Sequence, residues 1–75
     1  MKFKVGDIVR VEKTYRDYLS KYYGVGRDDL FIIDSYLSSN MYRCINFFRE
    51  KYTFDFLDVE LQLALECEIK EEDIL

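Results

Sequence analysis

The chain has 75 residues, 49% hydrophobic, 17% aromatic and 35% charged, with a formal net charge of −4. That apolar content is too high for a disordered chain and the length is too short for two cores, so one small domain is expected. With no His, three Gly, no Pro and no Trp, the usual neutral-pH base, glycine-rich phosphate cradle and histidine metal ligand are missing, and no enzyme, cofactor or metal site is expected.

The opening, Met1-Lys2-Phe3-Lys4-Val5-Gly6-Asp7, carries charge where a signal peptide has its apolar segment. No apolar run approaches the roughly 18 residues of a bilayer span, so a cytoplasmic protein without a membrane partner is expected. Phe3, Val5, Val9 and Val11 alternate with charged or small residues, which predicts a strand over residues 3–12. Gly6-Asp7 interrupts it as a turn or bulge from which pairing begins at Asp7, with Ile8 on the opposite face.

The period then changes. Tyr15, Tyr18, Leu19, Tyr22 and Tyr23 follow the i, i+3, i+4, i+7 stripe of a short amphipathic helix, with Thr14 as its cap, Asp17 at the capping-box position and Gly24 as its stop. A helix this short is marginal alone and must dock to persist. Its tyrosines either cover an open end of a sheet or, with Tyr18, Tyr22 and Tyr23 outermost, meet a partner.

Gly24 to Asp29 reads as a loop. Leu30 to Tyr36 reads as a central strand, Ser38-Ser39-Asn40 as a turn, and Met41 to Phe48 and Tyr52 to Leu57 as two further strands joined by Arg49-Glu50-Lys51. Val59, Leu61, Leu63, Leu65, Cys67 and Ile69 alternate with Glu60, Gln62, Ala64, Glu66, Glu68 and Lys70. A helix would spread those six apolar side chains around its circumference, so residues 59–69 are expected to form a strand with the odd-numbered row buried. Residues 1–70 would then be one domain and the acidic residues 71–75 a frayed end. Cys44 and Cys67 both lie on apolar-alternating stretches and are expected to be buried, reduced thiols.

This succession resembles the small SH3-like barrels. The resemblance is carried by Phe3-Lys4-Val5-Gly6-Asp7-Ile8-Val9-Arg10-Val11 at the start, by Leu30 to Asp34 and Met41 to Phe47 in the middle, and by Phe54-Asp55-Phe56-Leu57-Asp58-Val59-Glu60-Leu61-Gln62-Leu63 near the close. In such barrels the closing Glu-Leu-x-Leu enters the last strand after a tight turn. The resemblance implies a mainly β fold, a five-stranded barrel with one short helix inserted after the first strand. It also implies a scaffold used for binding peptides, modified side chains, RNA or another protein. Small acidic stand-alone domains are also similar to phage or mobile-element inhibitors of host enzymes, of the anti-CRISPR type. The helical, tyrosine-rich first loop and the extended last strand depart from the barrel pattern.

Charge is distributed unevenly. Residues 1–52 hold ten Lys and Arg against seven Asp and Glu, and residues 53–75 hold one Lys against eight acids. A net acidic chain argues against gripping nucleic acid through its phosphates, and a protein partner is the leading expectation. The alternative is single-stranded nucleic acid on the basic first third, where Lys2, Lys4, Arg10, Lys13, Arg16, Lys21 and Arg27 interleave with tyrosines. Asp55, Asp58 and Glu60 are the densest regular acids: a solvated strand face, the edge of a contact with a basic partner, or a mimic of backbone phosphates that occupies a nucleic-acid channel. The long apolar row exceeds an ordinary strand, so its uncovered end predicts a homodimer or an obligate partner.

Overall fold

The computed structural model describes residues 2–49 and 52–64. Five antiparallel strands form one sheet: β1 (Ile8–Val11), β2 (Leu30–Ser38), β3 (Met41–Asn46), β4 (Thr53–Leu57) and β5 (Leu61–Leu63), in the order β4-β3-β2-β1-β5. A 3-10 turn, Lys13–Tyr15, leads into the helix α1 (Arg16–Tyr23) between β1 and β2, and a second 3-10 turn, Asp58–Glu60, joins β4 to β5. The described chain is thus mainly β with one short helix after the first strand. None of its helices is long and apolar enough to cross a membrane.

The first strand is shorter than its alternation suggests. Gly6 adopts φ 95°, a left-handed conformation that glycine reaches without steric cost, and the chain turns there. Val5 is therefore exposed at the turn, while Phe3 is buried ahead of it. Pairing does begin beside the turn: the Gly6 N–H donates to the Ile33 carbonyl at 2.8 Å and the Ile33 N–H to the Asp7 carbonyl at 2.9 Å. Val9 and Val11 then face the core and Ile8 the opposite side.

Helix α1 stops where expected, at Gly24 with φ 71°. Its start differs from the sequence expectation. Thr14 caps nothing; its N–H is instead bound by the Glu12 carboxylate at 3.1 Å, which opens the 3-10 turn. Tyr15 is the residue before α1 and makes no side-chain cap. Asp17 forms no capping box and pairs with Arg27 across the helix end. Leu19 alone of the helix is buried, so the helix is held by one apolar anchor and by Tyr15 at its approach.

Strand β2 is the longest. Ile33 faces Cys44 and Ser35 faces Arg43 on β3, so Asp34 is an extra residue, and a second irregularity falls between Tyr36 and Ser38. Such bulges bend a strand and raise its twist, which lets the sheet curl over a core of Phe3, Val9, Val11, Leu19, Val25, Phe31, Ile33, Tyr42, Cys44, Phe56 and Leu61. Aromatic rings organise that core edge to face. Phe31 lies 5.1 Å from Phe56 and 5.6 Å from Phe54, and Tyr42 lies 5.6 Å from Phe3.

Two strand ends are corrected. β3 stops at Asn46, and Phe47 and Phe48, expected to continue it, are exposed and stack edge to face at 5.5 Å. The long apolar alternation breaks at both ends of its described part: Val59 sits in the 3-10 turn and is 52% exposed, while Ala64, assigned to the polar face, is 2% exposed. The turn rotates Val59 out of the row that a continuous strand would have kept in line. Leu61 is fully buried on β5, which runs antiparallel beside β1. Leu65, Cys67, Ile69, the frayed end 71–75, and Glu50 and Lys51 of the β3–β4 connection lie outside the described residues, and with them the expected dimer-sealing end of the row.

Candidate functional site

Two tyrosines of α1, Tyr18 and Tyr23, and two acids far from them in sequence, Asp55 on β4 and Glu60 after it, meet at one groove. Its volume is about 420 Å³; Tyr18, Leu19 and Tyr23 form one wall, and Thr53 to Leu57 the other, closed at one end by Glu60. Past Tyr23 and Phe54 a second depression of about 360 Å³ continues toward Arg49 and Tyr52. Leu19 anchors the helix wall, which leaves the rings of Tyr18 and Tyr23 at its rim. Tyr18 packs on Tyr23 at 5.9 Å and on Tyr22 at 5.1 Å, and all three are exposed.

Five consecutive β4 residues line the groove, so it follows the strand's edge rather than one of its faces. The hydrogen-bond parity defines that edge. The Asn46 N–H donates to the Tyr52 carbonyl at 3.0 Å, and the register sets Cys44 opposite Phe54 and Tyr42 opposite Phe56. Bonded and non-bonded pairs alternate in an antiparallel ladder. Phe54 and Phe56 therefore turn their peptide groups to β3, and Thr53, Asp55 and Leu57 turn theirs outward. Glu60 Oε1 accepts the outward Leu57 N–H at 2.8 Å.

The acids expected to act together are separated. Asp55 and Glu60 line the groove. Asp58 does not; its N–H donates to the Asn40 carbonyl at 2.8 Å, fixing the 3-10 turn to the β2–β3 hairpin. Asp55 also faces Arg43 across the strands, with Nε to Oδ1 at 3.1 Å, and this contact holds the guanidinium above its ordinary pKa. Tyr22 likewise stands on the rim without lining the cavity. The Tyr18 phenol is raised above its ordinary value, first by the neighbouring Tyr23 hydroxyl and its charge, then by partial burial and by Glu60 and Tyr22.

Sequence reasoning missed Thr53, Phe54, Met41 and Val25 as lining residues, because alternation assigns a residue to a face but not to an open edge. Alternation also assigns Phe47, Phe48 and Tyr52 to strands, although the run Phe47-Phe48 itself breaks period two; of these, Tyr52 borders the second depression. Among the described residues, no cluster of three or more His, Cys, Asp or Glu could hold a metal ion. Comparison with family models, curated proteins and solved structures finds no match to the chain.

Proposed function

We propose that this chain is a non-enzymatic protein-binding module built on an SH3-like barrel scaffold, with the groove between α1 and β4 as its binding surface. The strand order, β5 antiparallel beside β1 and the 3-10 turn ahead of Glu60-Leu61-Gln62-Leu63 support the scaffold reading. The observation that carries the function is the convergence of Tyr18, Tyr23, Asp55 and Glu60 on one groove. Tyrosine supplies large contact area with a polar tip, and carboxylates at a rim steer a basic partner. An inhibitor of a host enzyme, of phage or mobile-element origin, would use this same surface sterically and through its acids.

Protein is favoured over nucleic acid as the partner. The tyrosines face carboxylates, which would repel a phosphate backbone. Several of the basic side chains of the first third are also used internally: Arg27 pairs with Asp17, Arg10 lies 3.9 Å from Asp28, Arg16 Nε donates to the Val11 carbonyl at 3.0 Å, and Lys2 Nζ donates to the Asp58 carbonyl at 3.3 Å.

Affinity capture with the wild-type chain and with a Tyr18→Ser/Tyr23→Ser variant tests the reading. A protein retained by the wild type and lost from the folded variant is the expected result. No retained protein, or equal retention by both, would overturn it, as would tight, salt-sensitive binding of an oligonucleotide that the double variant abolishes.

A further inference from the structure

The groove is bounded on one side by a strand edge with outward-facing peptide groups, and this specifies how a partner would sit. Among the described residues β4 pairs with β3 alone. Of its outward groups, the Leu57 N–H is already held by Glu60. The peptide groups of Thr53 and Asp55 face the groove. Exposed edges of this kind are templates for another strand, and natural proteins cover or blunt them. Here α1 stands opposite the edge but leaves about 420 Å³ between them, extended by about 360 Å³ toward Tyr52.

Resting on the protein-binding reading above, we propose that the groove takes an extended, basic segment of a partner protein as a sixth strand on the edge of β4. Main-chain hydrogen bonds to Thr53 and Asp55 would give register, and alternate side chains of the segment would meet Tyr18 and Tyr23 on the helix wall. Charge selects the occupant. Among the described residues, the ionisable carboxylates lining the main groove are Asp55 and Glu60, and no described Lys or Arg lines it. The charge of Asp55 is shared with Arg43 at 3.1 Å, Glu60 also holds the Leu57 N–H, and Arg49 borders the second depression beyond the main groove. A second copy adding its own β4 antiparallel about Asp55 would bring like charges face to face, which disfavours such a pairing. The sequence 65–75, with five acids and one Lys, has the wrong sign of charge to be favoured by these carboxylates. A segment that alternates apolar residues with Lys or Arg fits both the edge and the charge.

The probe is a capped seven-residue peptide alternating Val with Lys, titrated into the full chain, with amide hydrogen exchange read by NMR. The expected result is that exchange at the Thr53 and Asp55 amides slows about tenfold or more on saturation. Glu in place of Lys, or N-methylation of the peptide backbone on its bonding edge, should abolish this. Thr53→Pro removes an outward N–H without removing a ladder bond and should lose the peptide. Glu60→Gln keeps an acceptor for Leu57 and should weaken binding roughly threefold to tenfold, with a flatter salt dependence. Peptide binding that leaves Thr53 and Asp55 exchange unchanged would overturn the proposal, as would equal binding of the N-methylated or acidic peptide. Slow exchange at both amides in the free protein would also overturn it, because the edge would already be occupied by residues 65–75 or by a second copy. A protein captured by the wild type and by Thr53→Pro, but lost from Tyr18→Ser/Tyr23→Ser, would sink strand addition and leave the protein-binding reading standing.

Discussion

The side-chain amide of Asn46, 1% exposed at the end of β3, donates from Nδ2 to Asp29 Oδ2 at 3.0 Å. Its own Oδ1 accepts the N–H groups of Phe48 at 2.9 Å and Arg49 at 3.0 Å. The same Asp29 oxygen accepts the Gly26 N–H at 3.0 Å. One buried amide therefore ties the loop after α1 to the turn after β3, and so positions both ends of the second depression. Asn46→Leu would keep the volume and remove the amide's three bonds, leaving the Asp29 carboxylate only the Gly26 N–H and the Arg49 N–H only the Asn46 backbone carbonyl at 3.3 Å. Losing part-buried bonds of this kind costs about 1–3 kcal/mol, and urea denaturation should show a loss of that size with an unchanged slope.

A second polar contact holds the segment before β1. The hydroxyl of Tyr42, itself fully buried, accepts the N–H groups of Lys2 and Phe3, each at 3.1 Å, and Tyr36 donates its hydroxyl to the Phe3 carbonyl at 2.9 Å. Phe3 can then pack its ring on Tyr42. Tyr42→Phe preserves the ring and removes the acceptor, so a loss of about 1–2 kcal/mol is expected. Hydrogen exchange at the Phe3 amide should accelerate more than exchange in β3.

Val59 and Leu61 test where the apolar alternation stops describing the fold. Leu61 is fully buried and Val59 is 52% exposed. Leu61→Ala should cost about 2–5 kcal/mol through lost burial and a cavity. Val59→Ala should stay within about 0.5 kcal/mol, as surface changes generally do. Comparable losses at both positions in thermal or urea unfolding would contradict the 3-10 turn at Asp58–Glu60.

Much of the architecture was legible because apolar periodicity is a local signal with a tertiary cause. The change of period at Tyr15, the stop at Gly24 and the strands from Leu30 and Met41 all follow from which side chains must share a face. Val59 and Ala64 were misread because a three-residue turn can interrupt an alternation without altering the sequence pattern. Tyr18, Tyr22 and Tyr23 were legible as a surface stripe, and Asp55 and Glu60 as regular acids. Their meeting was not legible, since it depends on α1 folding back over the β4 edge through Leu19 and Val25. Thr53 carries no chemical signal at all; its relevance comes from the direction of its peptide groups, which register alone determines.

Cys44 gives a prediction in pH. Its thiol is fully buried on β3, and burial, with smaller contributions from the charges of Asp55 and Asp34, pushes it from 9.0 up to about 12. In the unfolded chain the thiol ionises near its ordinary value, whereas in the fold it keeps its proton. Below pH 9 both states hold the proton and the group has no effect on the pH dependence. Between about pH 9 and 12 the unfolded state binds fewer protons than the folded one, so stability must fall as pH rises through that window. Wild-type protein should lose stability relative to Cys44→Ala progressively across this range, the difference being flat from pH 6 to 8. The same burial makes the thiolate scarce and inaccessible. A thiol reagent at pH 8 should therefore label Cys44 only at the rate of opening, accelerating with urea; immediate labelling of Cys44 in the native protein, located by peptide mass mapping, would show that β3 is not packed as described.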